Sequence, residues 1–177
     1  KQNMNLSKKT LTGIKASGLT LPTEELFNLP ERVLQFGTGV LLRGLPDYFI
    51  DKANRNGLFN GRVAVVKSTS KGGTKEFDDQ DSLYTICVRG IENGKPVEEN
   101  IISSAISRVL TADQDWKTIL EIAASPELSI IVSNTTEVGI QLLNESIDQK
   151  PPVSFPAKLL SVLFARYKVL GSVEQAD

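Results

Sequence analysis

Short apolar runs alternate along this chain with stretches whose apolar residues recur every three or four positions, a pattern that predicts strands followed by helices. The run from Arg32 to Phe36 stops at Gly37-Thr38-Gly39, and an apolar, helix-like segment follows. Leu41, Leu42, Leu45, Tyr48, Phe49 and Ala53 share a helical spacing, so that face is expected to be buried. Pro46 is placed in the first turn of the regular helix, because an interior proline costs about 3 kcal/mol. Asn56-Gly57 ends the helix, with Gly57 as a left-handed cap. Arg62 to Val66 is a continuous β-branched run of the kind found in central parallel strands. Strand, helix and strand thus occupy Arg32 to Val66, the span of one βαβ unit.

The later segments extend this pattern. Leu83 to Arg89 and Val97 to Ile102 are β-prone and flank an Asn93-Gly94 turn, which predicts a hairpin inserted into the α/β succession. Cys87 lies inside its first strand and is expected to be buried. Ala105 to Val109 predicts a third sheet strand. Asp113 is the expected cap of a helix carrying Trp116, Ile119, Leu120 and Ala123. Leu128 to Ser133 is the next strand and leads into Asn134-Thr135-Thr136-Glu137. After Pro151-Pro152, Phe155 to Leu170 predicts a helix burying Leu159, Leu160, Leu163, Phe164 and Tyr167, with Lys158, Arg166 and Lys168 on other faces. Residues 1–29 form a polar arm with scattered leucines, and residues 30–177 form one α/β domain, a parallel sheet flanked by helices with an inserted hairpin.

Composition bounds the class. The chain has 177 residues, of which 40% are hydrophobic and 23% charged, with a net charge of −1. These values fit one folded domain and argue against disorder. Without a basic run there is no support for a nucleic-acid partner. No apolar run reaches spanning length and no signal-peptide core is present, so no membrane partner is expected. A single cysteine rules out an internal disulfide and fits a reducing compartment. The absence of histidine removes the commonest general base and zinc ligand, and no metal site is expected. The sequence begins at Lys1 without Met and ends at Asp177 with no evident stop for the fold; it reads as a piece of a longer protein.

Two stretches are candidates for chemistry. Strand, Gly-x-Gly turn and helix is how a dinucleotide-binding unit begins. Gly37 would permit the tight turn, Gly39 would let backbone approach a pyrophosphate, and the following helix start would offer free N–H groups. Leu42 stands where a third glycine is expected, so the motif alone is weak. Asn134 to Glu137 lies at another strand end, where amide and hydroxyl groups can bind ribose hydroxyls or a carboxamide. The same residues also form a capping-box pattern, and both readings stand. After the second strand, where an acidic residue would bind an adenosine ribose, the chain has Lys67-Ser68-Thr69-Ser70-Lys71. This is either a solvated loop or a cradle for the 2′-phosphate of NADP. The Asp78-Asp79-Gln80-Asp81 run departs from a calcium loop at its sixth and twelfth positions, Leu83 and Arg89, and is expected to be a surface turn.

Four blocks carry a resemblance. Leu34-Gln35-Phe36-Gly37-Thr38-Gly39-Val40-Leu41-Leu42-Arg43, Asp81-Ser82-Leu83-Tyr84-Thr85, Ser133-Asn134-Thr135-Thr136-Glu137-Val138-Gly139-Ile140 and Ser154-Phe155-Pro156-Ala157-Lys158-Leu159-Leu160 resemble, in order, the N-terminal part of the long-chain polyol dehydrogenases. The resemblance implies a Rossmann-type domain, NAD(H) as cofactor with NADP left open, and reversible reduction of a keto sugar acid. It implies that Gly37, Thr38, Gly39, Val40, Leu41 and Arg43 line a pyrophosphate turn, with Lys67 and Ser68 beyond it. Asn134, Thr135 and Glu137 would lie near the nicotinamide half. It further implies that the catalytic residues and the contacts to the sugar-acid substrate belong to a C-terminal domain missing from this chain, so that the fragment alone is inactive. A non-catalytic nucleotide-binding sensor domain is the competing expectation.

Overall fold

The computed structural model describes residues 5–67 and 74–171. Elements follow in the order α1 (Lys8–Leu11), β1 (Leu19–Thr20), a 3-10 turn (Glu24–Asn28), β2 (Glu31–Phe36), α2 (Val40–Gly44), α3 (Pro46–Arg55), β3 (Arg62–Lys67) and α4 (Lys75–Asp78). The hairpin strands β4 (Tyr84–Glu92) and β5 (Lys95–Ser103) come next, then β6 (Ile106–Thr111), α5 (Ala112–Ala123), β7 (Ile130–Ser133) and α6 (Phe155–Leu170). Four strands form a wholly parallel sheet in the order β6-β3-β2-β7. The hairpin forms a second sheet with β1, which pairs in parallel with β5. The arm is therefore built into the fold: Leu11 and Leu26 are buried, and Leu19 and Thr20 pair with Asn100 and Ile101.

Alternation along the parallel strands sends side chains to two cores. Leu34, Phe36, Ala64, Val66 and Leu110 meet Trp116, Ile119, Ile122 and Ala123 of α5 and Val162 of α6. Val33, Val63, Val65, Ile106 and Val109 meet Ile50, Phe59, Phe77 and Tyr84 on the other side. Each fully buried aliphatic side chain stabilises the fold by roughly 1.5–3 kcal/mol. Helices cover both faces of the sheet, as the apolar runs on its central strands require.

Several expectations are corrected. Pro46 lies in the first turn of its helix as expected, but that helix is α3 alone, and the chain breaks at Leu45 between it and the short α2. Leu42 is buried as expected and Ile50 packs on the core, but the buried residues of α3 are polar: Asp47, Asp51 and Asn54 point inward, whereas Leu41, Leu45 and Phe49 are more than half exposed. The reason is what α3 packs against. Asp51 accepts from the Ser104 amide at 2.8 Å and from Arg55 at 2.6 Å, and the Asn54 side chain bonds both backbone groups of Gly61. Buried chain ends need polar partners more than apolar cover.

Helix α6 is inverted in the same way. Leu160, Leu163, Phe164 and Tyr167 are exposed and Leu159 is half-buried, while Lys158 and Arg166 are buried. Arg166 donates to the carbonyls of Ala123, Ser125 and Leu128, and Lys158 to that of Val153 at 2.6 Å. Thr111 rather than Asp113 is the N-cap residue of α5, and Asp115 reaches back to accept from the Thr111 amide at 2.7 Å. Cys87 is exposed, because alternation along β4 turns it away from the buried face of the hairpin. No helix among the described residues is long and apolar enough to cross a membrane.

Candidate functional site

In a parallel sheet every carboxyl end reaches the same edge, and open α/β sheets bind ligands beyond that edge. Phe36 at the end of β2 pairs with Val66 of β3 on one side and Ser133 of β7 on the other. Gly37, Lys67 and Asn134 therefore emerge side by side. A cleft of about 320 Å³ lies there, lined by Gly37, Thr38, Lys67, Asn134 and Thr135 together with Phe36, Thr136, Gly139 and Phe155. A larger cleft, about 470 Å³, lies between β1, α3 and β5. It is remote from the strand tips and lined by charges of both signs, so the smaller cleft is the candidate site.

Gly37 has φ +118, closed to most side chains, and its amide donates to the Val66 carbonyl at 3.0 Å. Gly39 differs: its φ is −66, and a Cβ built on it would meet nothing within 4 Å. Nothing in the folded chain itself demands glycine there, whereas a ligand resting on the turn would. Gly139 is the close-approach glycine of the opposite wall, where a Cβ would come 2.5 Å from the Thr135 methyl. Helix α2, only five residues long, has no side-chain cap, so its asset toward an anion is its first-turn N–H groups rather than a long dipole.

Five of the eleven residues expected from sequence thus share the cleft. Gly39, Val40 and Leu41 continue from Thr38 into α2 with exposed positions. Arg43 does not line the cleft: its guanidinium lies 5.6 Å from the ring centres of both Phe77 and Tyr84. Glu137 is exposed in a turn and no helix follows it, so the capping box is not formed. Ser68 and the rest of the 68–73 loop lie outside the described residues.

Sequence reasoning missed two features. Phe155 packs edge-on against Phe36, ring centres 5.4 Å apart, and brings the start of α6 to the cleft. Beneath the glycine turn, Gln35 and Asp47 are both fully buried. Burial, opposed by the Gln35 hydrogen bond and the Arg43 charge, pushes the Asp47 carboxyl up to about 7. The signal available in the sequence was a glutamine inside an otherwise apolar strand.

No protein-family model matches the chain. It is 46% identical over 145 residues to an altronate oxidoreductase of Halalkalibacterium halodurans, covering 81% of this chain and 28% of that protein. It is 40% identical over 140 residues to an altronate oxidoreductase of Bacillus subtilis, covering 78% and 29%. The chain thus spans under a third of the length of these relatives. In structure it resembles Pseudomonas fluorescens mannitol 2-dehydrogenase, solved as a ternary complex with NAD and D-mannitol, with a TM-score of 0.77 at 21% identity, over 93% of this chain and 36% of that one. A D-sorbitol dehydrogenase solved in substrate-free form gives 0.75 at 16% identity, over 93% and 37%. The chain is thus related in sequence to altronate oxidoreductases and shares the Rossmann-type fold of the two solved polyol dehydrogenases.

Proposed function

We propose that this chain is the cofactor-binding portion of an NAD(H)-dependent altronate oxidoreductase, interconverting D-altronate and NAD⁺ with D-tagaturonate, NADH and a proton. The observation that carries the reading is the pairing of the glycine tip of β2 with the amide and hydroxyl tip of β7 along one cleft. The sequence likeness to two altronate oxidoreductases supports the substrate class. A polyol such as mannitol is the neighbouring alternative, supported by the likeness of fold.

The groups present fit a dinucleotide. The backbone N–H groups from Thr38 to Leu41 would hold the pyrophosphate, with the Gly37 amide kept in its bond to Val66, Gly39 leaving room for the ligand and Arg43 bracing the turn from behind. Asn134 and Thr135 would meet ribose or carboxamide, Phe155 would offer an aromatic face, and Glu137 would lie on the nicotinamide side. Lys67, at the end of β3, would face the adenosine ribose, where a lysine also suits a 2′-phosphate. The nicotinamide, when bound, gives or accepts the hydride. On this reading, proton handling and sugar-acid recognition would fall to the part of the relatives' length that this chain does not span, and the chain alone is expected to turn over nothing.

Titrating NADH, NADPH and S-adenosylmethionine into the purified chain and into Gly39→Ala, by fluorescence and calorimetry, tests the reading. NADH should bind saturably, and S-adenosylmethionine should not. A methyl placed where a phosphate rests should cost about 1–3 kcal/mol, or about five- to 150-fold in affinity. Stability of the variant should stay within about 0.5 kcal/mol, because its Cβ meets nothing. Tighter NADPH binding would move the cofactor to NADP(H); failure of both dinucleotides to bind would end the proposal.

A further inference from the structure

We propose that Gln35 and Asp47 are positioning residues for the glycine turn, and that the Gln35 amide transmits the protonation state of Asp47 to the Gly37 carbonyl. The role of the turn rests on the cofactor reading above; the coupling itself does not. Gln35 Nε2 donates to the Gly37 carbonyl at 3.2 Å and to Asp47 Oδ2 at 3.3 Å. One NH₂ group therefore spans the cofactor turn and a carboxyl group, and both side chains are fully buried. Two atoms of the same pair, Gln35 Oε1 and Asp47 Oδ1, are buried and have no hydrogen-bond partner among the described residues, and the same holds for Arg43 Nε nearby. A group this far from full satisfaction is costly and poorly fixed unless one protonation state favours it.

The chemistry gives the coupling a direction. An ionised Asp47 only accepts, so it calls for the NH₂ edge of Gln35, and the second N–H of that edge is then aimed at Gly37. A protonated Asp47 can donate, and its best available acceptor is the orphaned Gln35 Oε1. Taking that bond requires the amide to turn over, which sets oxygen against the Gly37 carbonyl and releases the turn. The Gly37 amide is separately held by the Val66 carbonyl at 3.0 Å, so the Gln35 bond bears on the carbonyl alone. Ionisation thus holds the turn and proton uptake loosens it.

The charged and titratable groups around Asp47 are few. Arg43 of α2 favours its ionised form. Tyr84 of β4 donates to the Arg43 carbonyl at 3.2 Å and is itself held neutral, first by burial and then by Asp47. Asp51, one turn further along α3, is paired with Arg55 at 2.6 Å. The facing positions of β3, Val63 and Val65, carry no charge. Burial of Asp47 brings its titration to about 7, so the coupling operates near neutral pH.

The test follows backbone amide resonances of Gly37, Thr38 and Gly39, and the Asp47 carboxyl carbon, from pH 5 to 9 in the isotope-labelled chain. In the native chain turn and carboxyl should titrate together with one midpoint. In Asp47→Asn the turn resonances should lose that transition. In Gln35→Leu the carboxyl should still titrate while the turn no longer follows. NADH affinity measured across the same range should depend on pH in the native chain and be flat in Asp47→Asn. Turn resonances that ignore pH in the native chain, or that still titrate in Asp47→Asn, would overturn the proposal. A native chain whose turn follows Asp47 but which binds no NADH would defeat the cofactor reading and leave the coupled pair standing.

Discussion

Exchanging Arg166 for methionine is expected to lower the unfolding free energy by about 3 kcal/mol, a loss of the size found when a buried charged hydrogen-bond donor is removed. Arg166 is only 7% exposed, and its two terminal nitrogens reach the carbonyls of Ala123 at 3.2 Å, Ser125 at 2.9 Å and Leu128 at 2.8 Å. Those carbonyls end α5 and lead into β7, so one side chain closes a helix terminus and ties α6 to it. Methionine keeps most of the packing but leaves two buried acceptors and one half-buried acceptor without this donor. Urea unfolding should show the loss as a lower midpoint at unchanged slope. Lys168→Met, two residues on and exposed, should move stability by no more than about 0.5 kcal/mol. A loss below about 1 kcal/mol for Arg166→Met would show that α6 is held by its few apolar contacts instead.

The second large effect is a gain. Asp47 has its carboxyl raised from 3.8 to about 7 in the folded chain, chiefly by burial. A raised acid binds more protons folded than unfolded between those two values, so stability falls as pH rises through that window. The change is about 1.4 kcal/mol for each pH unit, or roughly 4 kcal/mol across the whole window. Asparagine keeps the acceptor for Gln35 and has no charge to desolvate. Asp47→Asn should therefore gain on the native chain steadily between about pH 4 and pH 7, and the difference should level off above. Unfolding free energies of both proteins at pH 4.5, 6 and 8 would check this. Parallel pH profiles would mean that Asp47 stays ionised throughout.

The strand–turn–helix–strand unit was legible from Arg32 to Val66 because two signals agreed there, a β-branched run and a glycine turn. The hairpin was legible because Asn93-Gly94 admits positive φ at both of its positions. What misled was the assumption that apolar spacing marks the inward face. On α3 and α6 the surfaces to be covered are carbonyls and amides at chain ends, and Asp51, Asn54, Lys158 and Arg166 satisfy them. Apolar periodicity counts area and is blind to such groups. Similarly, Asn134-x-x-Glu137 has the right letters for a capping box, but the chain turns at Glu137 instead of winding. The strand tips were legible as a site, whereas Phe155 was not, since its place beside Phe36 comes from a loop of some twenty residues whose path no local pattern sets.

The central claim is that the tips of β2 and β7 form two walls of one cofactor groove. Mapping amide resonance changes on adding NADH to the labelled chain tests it most directly. Gly37, Thr38 and Gly39 and, across the cleft, Asn134, Thr135 and Thr136 should shift together with a single dissociation constant. Saturable NADH binding that moves only one of these tips, or moves the Tyr48–Lys52 cleft on α3 instead, would contradict it.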